Sequence, residues 1–132
     1  MKKIKQVILI RKDLKMRRGK EVAQGSHASM AFLIEQIRSS LTESSADSIP
    51  IHLNAHEKEW IATGMAKVCL RVNSESELLD YHRQAQALGL TSHLITDSGR
   101  TEFSGVPTLT ACAIGPNDAE SIDSVTGALS PY

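Results

Sequence analysis

Aromatic residues are scarce in this chain: one Trp, two Tyr and two Phe among 132 residues. Ile, Leu, Val and Ala must therefore fill any core. Cysteine is scarcer, with Cys69 and Cys112 alone. The two form neither a metal-spaced nor a redox pair, and both lie in apolar, strand-like stretches. They read as small buried hydrophobes of a reducing compartment. Long apolar runs are missing. The run at 6–10 falls far short of the ~20 residues that cross a bilayer and is too short for a signal-peptide core. No membrane contact is expected, and the cytoplasm is the default location. Net charge is also missing, since 15 basic residues balance 15 acidic ones, so overall charge selects no partner. The chain has no glycine-rich phosphate loop and no Gly-x-Ser-x-Gly elbow. His52, His56, His82 and His93 lack zinc-like spacing. His82 and His93 read as structural, and no metal or cofactor is indicated.

What is present is ordinary globular composition, 41% hydrophobic and 23% charged, at a length suited to one core and a single domain, 1–132. The basic residues are uneven. Nine of the fifteen fall in the first twenty positions, at Lys2, Lys3, Lys5, Arg11, Lys12, Lys15, Arg17, Arg18 and Lys20, with Asp13 the only acid among them. Such a run attracts phosphates; it is equally what a solvated surface looks like.

The apolar run at 6–10 predicts a strand buried on both faces. From 20 to about 39 the period is helical, with Val22, Ser26, Met30, Leu33 and Ile37 as the packed stripe. The Ser-rich 39–50 reads as a mobile loop. Asn54 and Glu57 cap a short helix to about 61. Alternation over 67–72 predicts a second strand. Ser74 and Glu77 open a helix carrying Leu78, His82 or Tyr81, Ala85 and Leu88, closed by Gly89. Strands follow at 92–96 and 108–114, the latter broken by Gly115-Pro116, and Asn117 with Glu120 caps a last helix. The order β-α-α-β-α-β-β-α predicts an α/β fold: a four-stranded mixed, mostly parallel sheet with helices on both faces, in which the short link between strands three and four leaves room for one antiparallel pair or a short crossover.

Two segments carry chemistry. Lys20, Gln24 and His27 are spaced four and three apart, which places cation, amide and imidazole on one helix face. They follow the first strand, where ligands of open α/β sheets sit. The same spacing also describes a solvated polar face. Asp97-Ser98-Gly99-Arg100-Thr101 follows the third strand and can converge on the same sheet end. Asp97 offers a carboxylate for acid–base work or for orienting water. Gly99 permits a tight turn, Arg100 can grip a phosphate, and Thr101 adds a hydroxyl. A plain Asp/Ser/Gly turn reads the same way.

The segment 15–28 (KMRRGKEVAQGSHA), the loop DSGRT at 97–101 and AIGP at 113–116, in this order, resemble the type 2 peptidyl-tRNA hydrolases. That family carries a similar Lys-Met-x-x-Gly-Lys-x-x-Ala-Gln-x-x-His-Ala segment, an Asp-x-Gly-Arg-Thr loop and an Ala-Ile-Gly-Pro strand end. The likeness runs from about 5 to 129. Arg17 stands where the family often has Gly, Gly25 where it often has Cys, and Ser98 where it often has Ala. The resemblance implies metal-free hydrolysis of the ester joining a peptide to the terminal ribose of tRNA, frequently by a homodimer. It implies Lys20, His27, Asp97 and Thr101 as catalytic residues and Gln24 and Arg100 as substrate contacts. The basic run itself adds Arg17 and Arg18 as candidate tRNA contacts. In the mechanism this suggests, Asp97 orients or deprotonates water that Thr101 holds. Lys20 faces the oxyanion or a phosphate, and Gln24 positions the ester. His27 relays a proton or buttresses Asp97. A base at Asp97 needs desolvation to raise its pKa against the pull of Lys20. The competing reading is a non-catalytic tRNA- or protein-binding module on the same fold.

Overall fold

A computed structural model describes residues 3–42, 45, 47–100 and 102–132. The elements are β1 (Ile4–Arg11), α1 (Arg18–Leu41), α2 (Ala55–Ala62), β2 (Lys67–Val72), α3 (Glu75–Ala87), β3 (Ser92–Asp97), β4 (Thr108–Asp118) and α4 (Ala119–Thr126), in the expected order. The strands lie side by side as β2-β1-β4-β3. Only β1 and β2 run parallel; β4 is antiparallel to both β1 and β3. The sheet is therefore mixed, as expected, but not mostly parallel. The physical reason is the link at 98–107. Its described residues hold no helix, and a parallel return needs a crossover of a dozen or more residues.

β1 is central and buried on both faces. Val7 and Leu9 point to one side, where they pack with Val72, Leu78, Ile114 and Ile122 beneath α3 and α4. Ile8 and Ile10 point to the other, where they meet Met16, Ala28, Ala111 and Ala113 beneath α1. A third cluster joins Ile4, Phe32 and Trp60, at the turn of α1 that α2 covers. The Phe32 and Trp60 rings meet edge to face at 5.9 Å. Asn54 caps α2 as expected. Its side chain accepts from the Glu57 N–H, and the Glu57 carboxylate accepts from the Asn54 N–H, a cap worth about 1 kcal/mol.

The buried stripe of α1 differs from the expected one. Val22 is 65% exposed and Met30 46%, while Gln24, Ala28, Ala31 and Phe32 are buried. Small side chains on both sides set this choice: alanines of α1 face Ala111 and Ala113 of β4, so helix and sheet approach closely. Gly115-Pro116 does not end β4, which continues to Asp118. It occupies a bulge instead. Lys5 pairs with Asn117 and Val7 with Ile114, so two residues of β4 oppose Gln6 alone, and a bulge is where an interior strand tolerates Pro. α4 is capped by Asp118, which accepts from the Ser121 N–H. Asn117 is buried and accepts from the Thr91 N–H.

Cys112 is buried, as expected, and burial pushes its thiol up to about 11. Cys69 is exposed on the outer strand β2, contrary to expectation. His82 bonds Ser92 (2.7 Å) and His93 pairs with Glu35 (3.1 Å), linking helices to β3. Of the Ser-rich 39–50, the first residues extend α1 to Leu41, while 43, 44 and 46 lie outside the described residues.

Candidate active site

β3 ends at Asp97, and the first turn of α1 passes alongside. Lys20 Nζ donates to Asp97 Oδ1 at 2.8 Å, and Gln24 Nε2 donates to the same oxygen at 3.3 Å. The Gly99 N–H donates to Asp97 Oδ2 at 2.8 Å. The loop folds back on itself: the Gly105 N–H donates to the Gly99 carbonyl (2.8 Å) and the Val106 N–H to the Phe103 carbonyl (2.9 Å). Gly99 has φ +82°, and a Cβ there would lie 2.2 Å from the Val106 carbonyl oxygen. No other residue type fits this turn without moving the loop. Phe103 brings its ring within 5.9 Å of the Lys20 ammonium.

Gln24 is 2% exposed. Its Oε1 accepts from the hydroxyl of Thr110, which is wholly buried on β4. The amide is thus held at both ends, by Thr110 and Asp97. Sequence patterning did not find Thr110. The available signal was a threonine set between Leu109 and the apolar run 111–114.

The ion pair is largely withdrawn from water, with the side chains of Lys20 and Asp97 15% and 11% exposed. The Lys20 hydrogen bond, reinforced by the Gly99 N–H, the ammonium charge and Gln24, holds the Asp97 carboxyl below its ordinary value, although burial pushes the other way. The opposition between desolvation and Lys20 foreseen from sequence resolves toward Lys20. Asp97 is a carboxylate at neutral pH and a weak proton acceptor.

The two distant segments therefore meet at one sheet end. Lys20, Gln24 and Asp97 are in contact. His27 is exposed on the same flank of α1, in a groove it shares with Thr96, and makes no hydrogen bond among the described residues. Arg100 is exposed. Arg17 and Arg18 are exposed at the start of α1, and Arg17 lies 3.9 Å from Glu102, a surface pair of little energetic weight. Thr101 lies outside the described residues. Among the described residues no cluster of three or more His, Cys, Asp or Glu is arranged to hold a metal ion. No described helix is long and apolar enough to cross a membrane.

The structure thus sets a lysine–carboxylate pair at a strand end of an α/β sheet, beside an exposed basic helix start. Comparison with known proteins gives the family. A family model described as Peptidyl-tRNA hydrolase PTH2 matches residues 4–132. The chain is 40% identical over 126 residues to a peptidyl-tRNA hydrolase of Methanocaldococcus jannaschii, covering 96% of this chain and 97% of that protein. It is 37% identical over 126 residues to one of Methanothermobacter thermautotrophicus, covering 96% and 97%. A probable peptidyl-tRNA hydrolase 2 of Dictyostelium discoideum is 37% identical over 129 residues, 97% of this chain and 54% of that longer protein. The chain belongs to the type 2 peptidyl-tRNA hydrolase family.

Proposed function

We propose that this protein hydrolyses the ester between a peptide and the terminal ribose of tRNA, that residues 1–132 act as one catalytic domain in the cytoplasm, and that the reaction takes place at the Lys20–Asp97 pair. The observation that carries the site is the 2.8 Å contact between these two groups, made across 77 positions of sequence. Two side chains drawn from opposite parts of the chain into a half-closed sheet end serve a site better than they serve stability, because withdrawing an ion pair from water gains little net stability.

Asp97 has about four lone-pair positions. Lys20, Gln24 and Gly99 take three of them, and the fourth, on Oδ2, accepts a water. The ionised carboxylate orients that water toward the ester carbon. The water oxygen forms the new bond to carbon and its proton passes to solvent. Lys20 stabilises the oxyanion, and the ribose oxygen leaves, taking a proton that His27 relays from solvent at the rim. Gln24 is too buried to grip the ester, so its role is to position Asp97. Release of a blocked amino acid from tRNA by the purified protein, with chelator present, tests the reading. No release above the rate in buffer would sink it.

The exposed Arg17 and Arg18, with Lys12 and Lys15, supply the tRNA backbone contact, and Arg100 extends it at the loop. Each phosphate contact contributes about 0.7–0.9 to the slope of log affinity against log salt. Arg17→Glu with Arg18→Glu should therefore raise KM for peptidyl-tRNA about tenfold or more at low salt and flatten its salt dependence by roughly two units. An unchanged slope places the tRNA elsewhere.

The homodimer implied by the resemblance belongs to this reading. It is supported by the exposed apolar side chains of Val22 on α1 and Val68 on the outer strand β2. Sedimentation velocity at micromolar concentration reads it directly, and a monomer at all concentrations removes it.

A further inference from the structure

We propose that the groove between α1 and the outer edge of β3 is the subsite for the peptide, and that it holds about the last four residues of the peptide as an added strand, gripped through their main chain. This rests on the ester lying at Lys20–Asp97.

The groove has a volume of about 490 Å³ and is lined by His27, Met30, Ile34, Arg38, Leu94 and Thr96. At one end its lining adjoins the catalytic cluster along the chain: Thr96 precedes Asp97, and His27 lies one turn beyond Gln24. From there it runs away from the basic start of α1. A substrate with a polyanionic half and a peptide half, joined at the ester, would thus have its two halves directed to surfaces of matching chemistry.

β3 is an edge strand, paired with β4 alone. The Gly115 N–H donates to the Thr91 carbonyl, and Ser92 pairs with Ile114 in antiparallel register. Alternation along such a ladder turns His93 and Ile95 toward β4 as well, and leaves the N–H and C=O of Ser92 and Leu94 facing outward. An outward row of this kind is a template for another strand. It suits a substrate defined only as a peptide, whose main chain is its single constant feature. The length follows from the same frame. His93 to Asp97 spans four steps, about 13 Å at the strand rise. Glu35 and Arg38 line its far end, where Glu35 pairs with His93 and ties α1 to β3. Met30, 46% exposed, has no core to fill and supplies an apolar wall for alternate side chains of the guest strand.

A second groove, of about 480 Å³, lies on the other flank of α1 over β1 and β2, lined by Ile8, Val22, Gly25, Cys69 and Tyr132. It is more apolar, but β1 and β4 separate β2 from the strand that carries Asp97.

The experiment compares two substrates, tRNA carrying one N-acetylated amino acid and tRNA carrying an N-acetylated tetrapeptide. The wild type is expected to favour the tetrapeptide about tenfold in kcat/KM, the scale of burying one or two apolar groups. Met30→Glu, at an exposed position that leaves the fold intact, should erase that preference through KM and leave the single-residue substrate within about twofold. Arg38→Glu, at the far end, should likewise act on the tetrapeptide alone. N-methylation at one of two adjacent positions of the peptide, the one facing β3, should also abolish the gain. Equal rates on both substrates by the wild type, equal loss on both by Met30→Glu, or indifference to both N-methylated peptides would overturn the subsite. No turnover of the single-residue substrate by the wild type would instead overturn the catalytic reading, and the subsite with it.

Discussion

Asp97→Asn should lower kcat/KM on peptidyl-tRNA by roughly 10²–10³, the scale of removing one preorganised group at a reacting centre, while the protein remains folded. Asparagine has the same shape but cannot satisfy the same neighbours. All three groups that bond Asp97 are donors: Lys20, Gln24 and the Gly99 N–H. The Asn amide must turn its own NH₂ toward one set or the other, and a donor set against a donor in a half-buried site costs about 1–3 kcal/mol. Lys20 also loses its counter-charge, so the ammonium proposed to face the oxyanion is no longer held. Lys20→Ala should fall within the same range. The pH profile separates the possible roles. With its pKa held below the ordinary value, Asp97 is ionised throughout pH 5–8, and protonation erodes its contribution only as pH falls through that lowered pKa. A limb in kcat/KM between pH 5 and 8 that vanishes in Asp97→Asn would show Asp97 titrating there as a base, and would end the orienting role. Near wild-type turnover in both variants would end the site.

The face that carries Lys20, Gln24 and His27 was legible because it is local. The four-and-three spacing of Lys20, Gln24 and His27 is fixed by helix geometry, and the turn after β3 is written in Asp97, Ser98 and Gly99. The core face of α1 was not legible. Hydropathy gives weight to Val22 and Met30, yet the helix buries Gln24, Ala28 and Ala31. Gln24 is acceptable inside only because Thr110 and Asp97 satisfy it, and both are more than seventy positions away. Local pattern carries no information about such partners. The same holds for β4, where Gly115-Pro116 reads as a stop. Its bulge against Gln6 lets the strand continue, and that depends on the facing strand. Strand direction was half visible: the element order matched, and the short link between strands three and four left room for either the antiparallel pair that forms or a short crossover.

Gly99→Ala should cost activity almost as severely as Asp97→Asn, at least about 10²-fold in kcat/KM, although it removes no polar group. A methyl at this position meets the Val106 carbonyl at 2.2 Å, and φ of +82° is already unfavourable for alanine, by about 1–2 kcal/mol before any clash. The neighbour is backbone, so the loop itself must move. Its movement withdraws the Gly99 N–H from Asp97 Oδ2, frees the carboxylate to rotate about the Lys20 contact, and displaces Phe103 from above the ammonium. Gly105→Ala is the control. It shares the loop and a positive φ of +79°, yet a Cβ there meets nothing within 4 Å. It should lose about 1 kcal/mol of stability from the backbone alone and keep kcat/KM within about threefold. Equal effects of the two substitutions would mean that loop strain in general, and not the grip of the Gly99 amide on Asp97, sets the rate. If Gly99→Ala alone is severe, the single backbone amide at the sheet end is what keeps the carboxylate aimed.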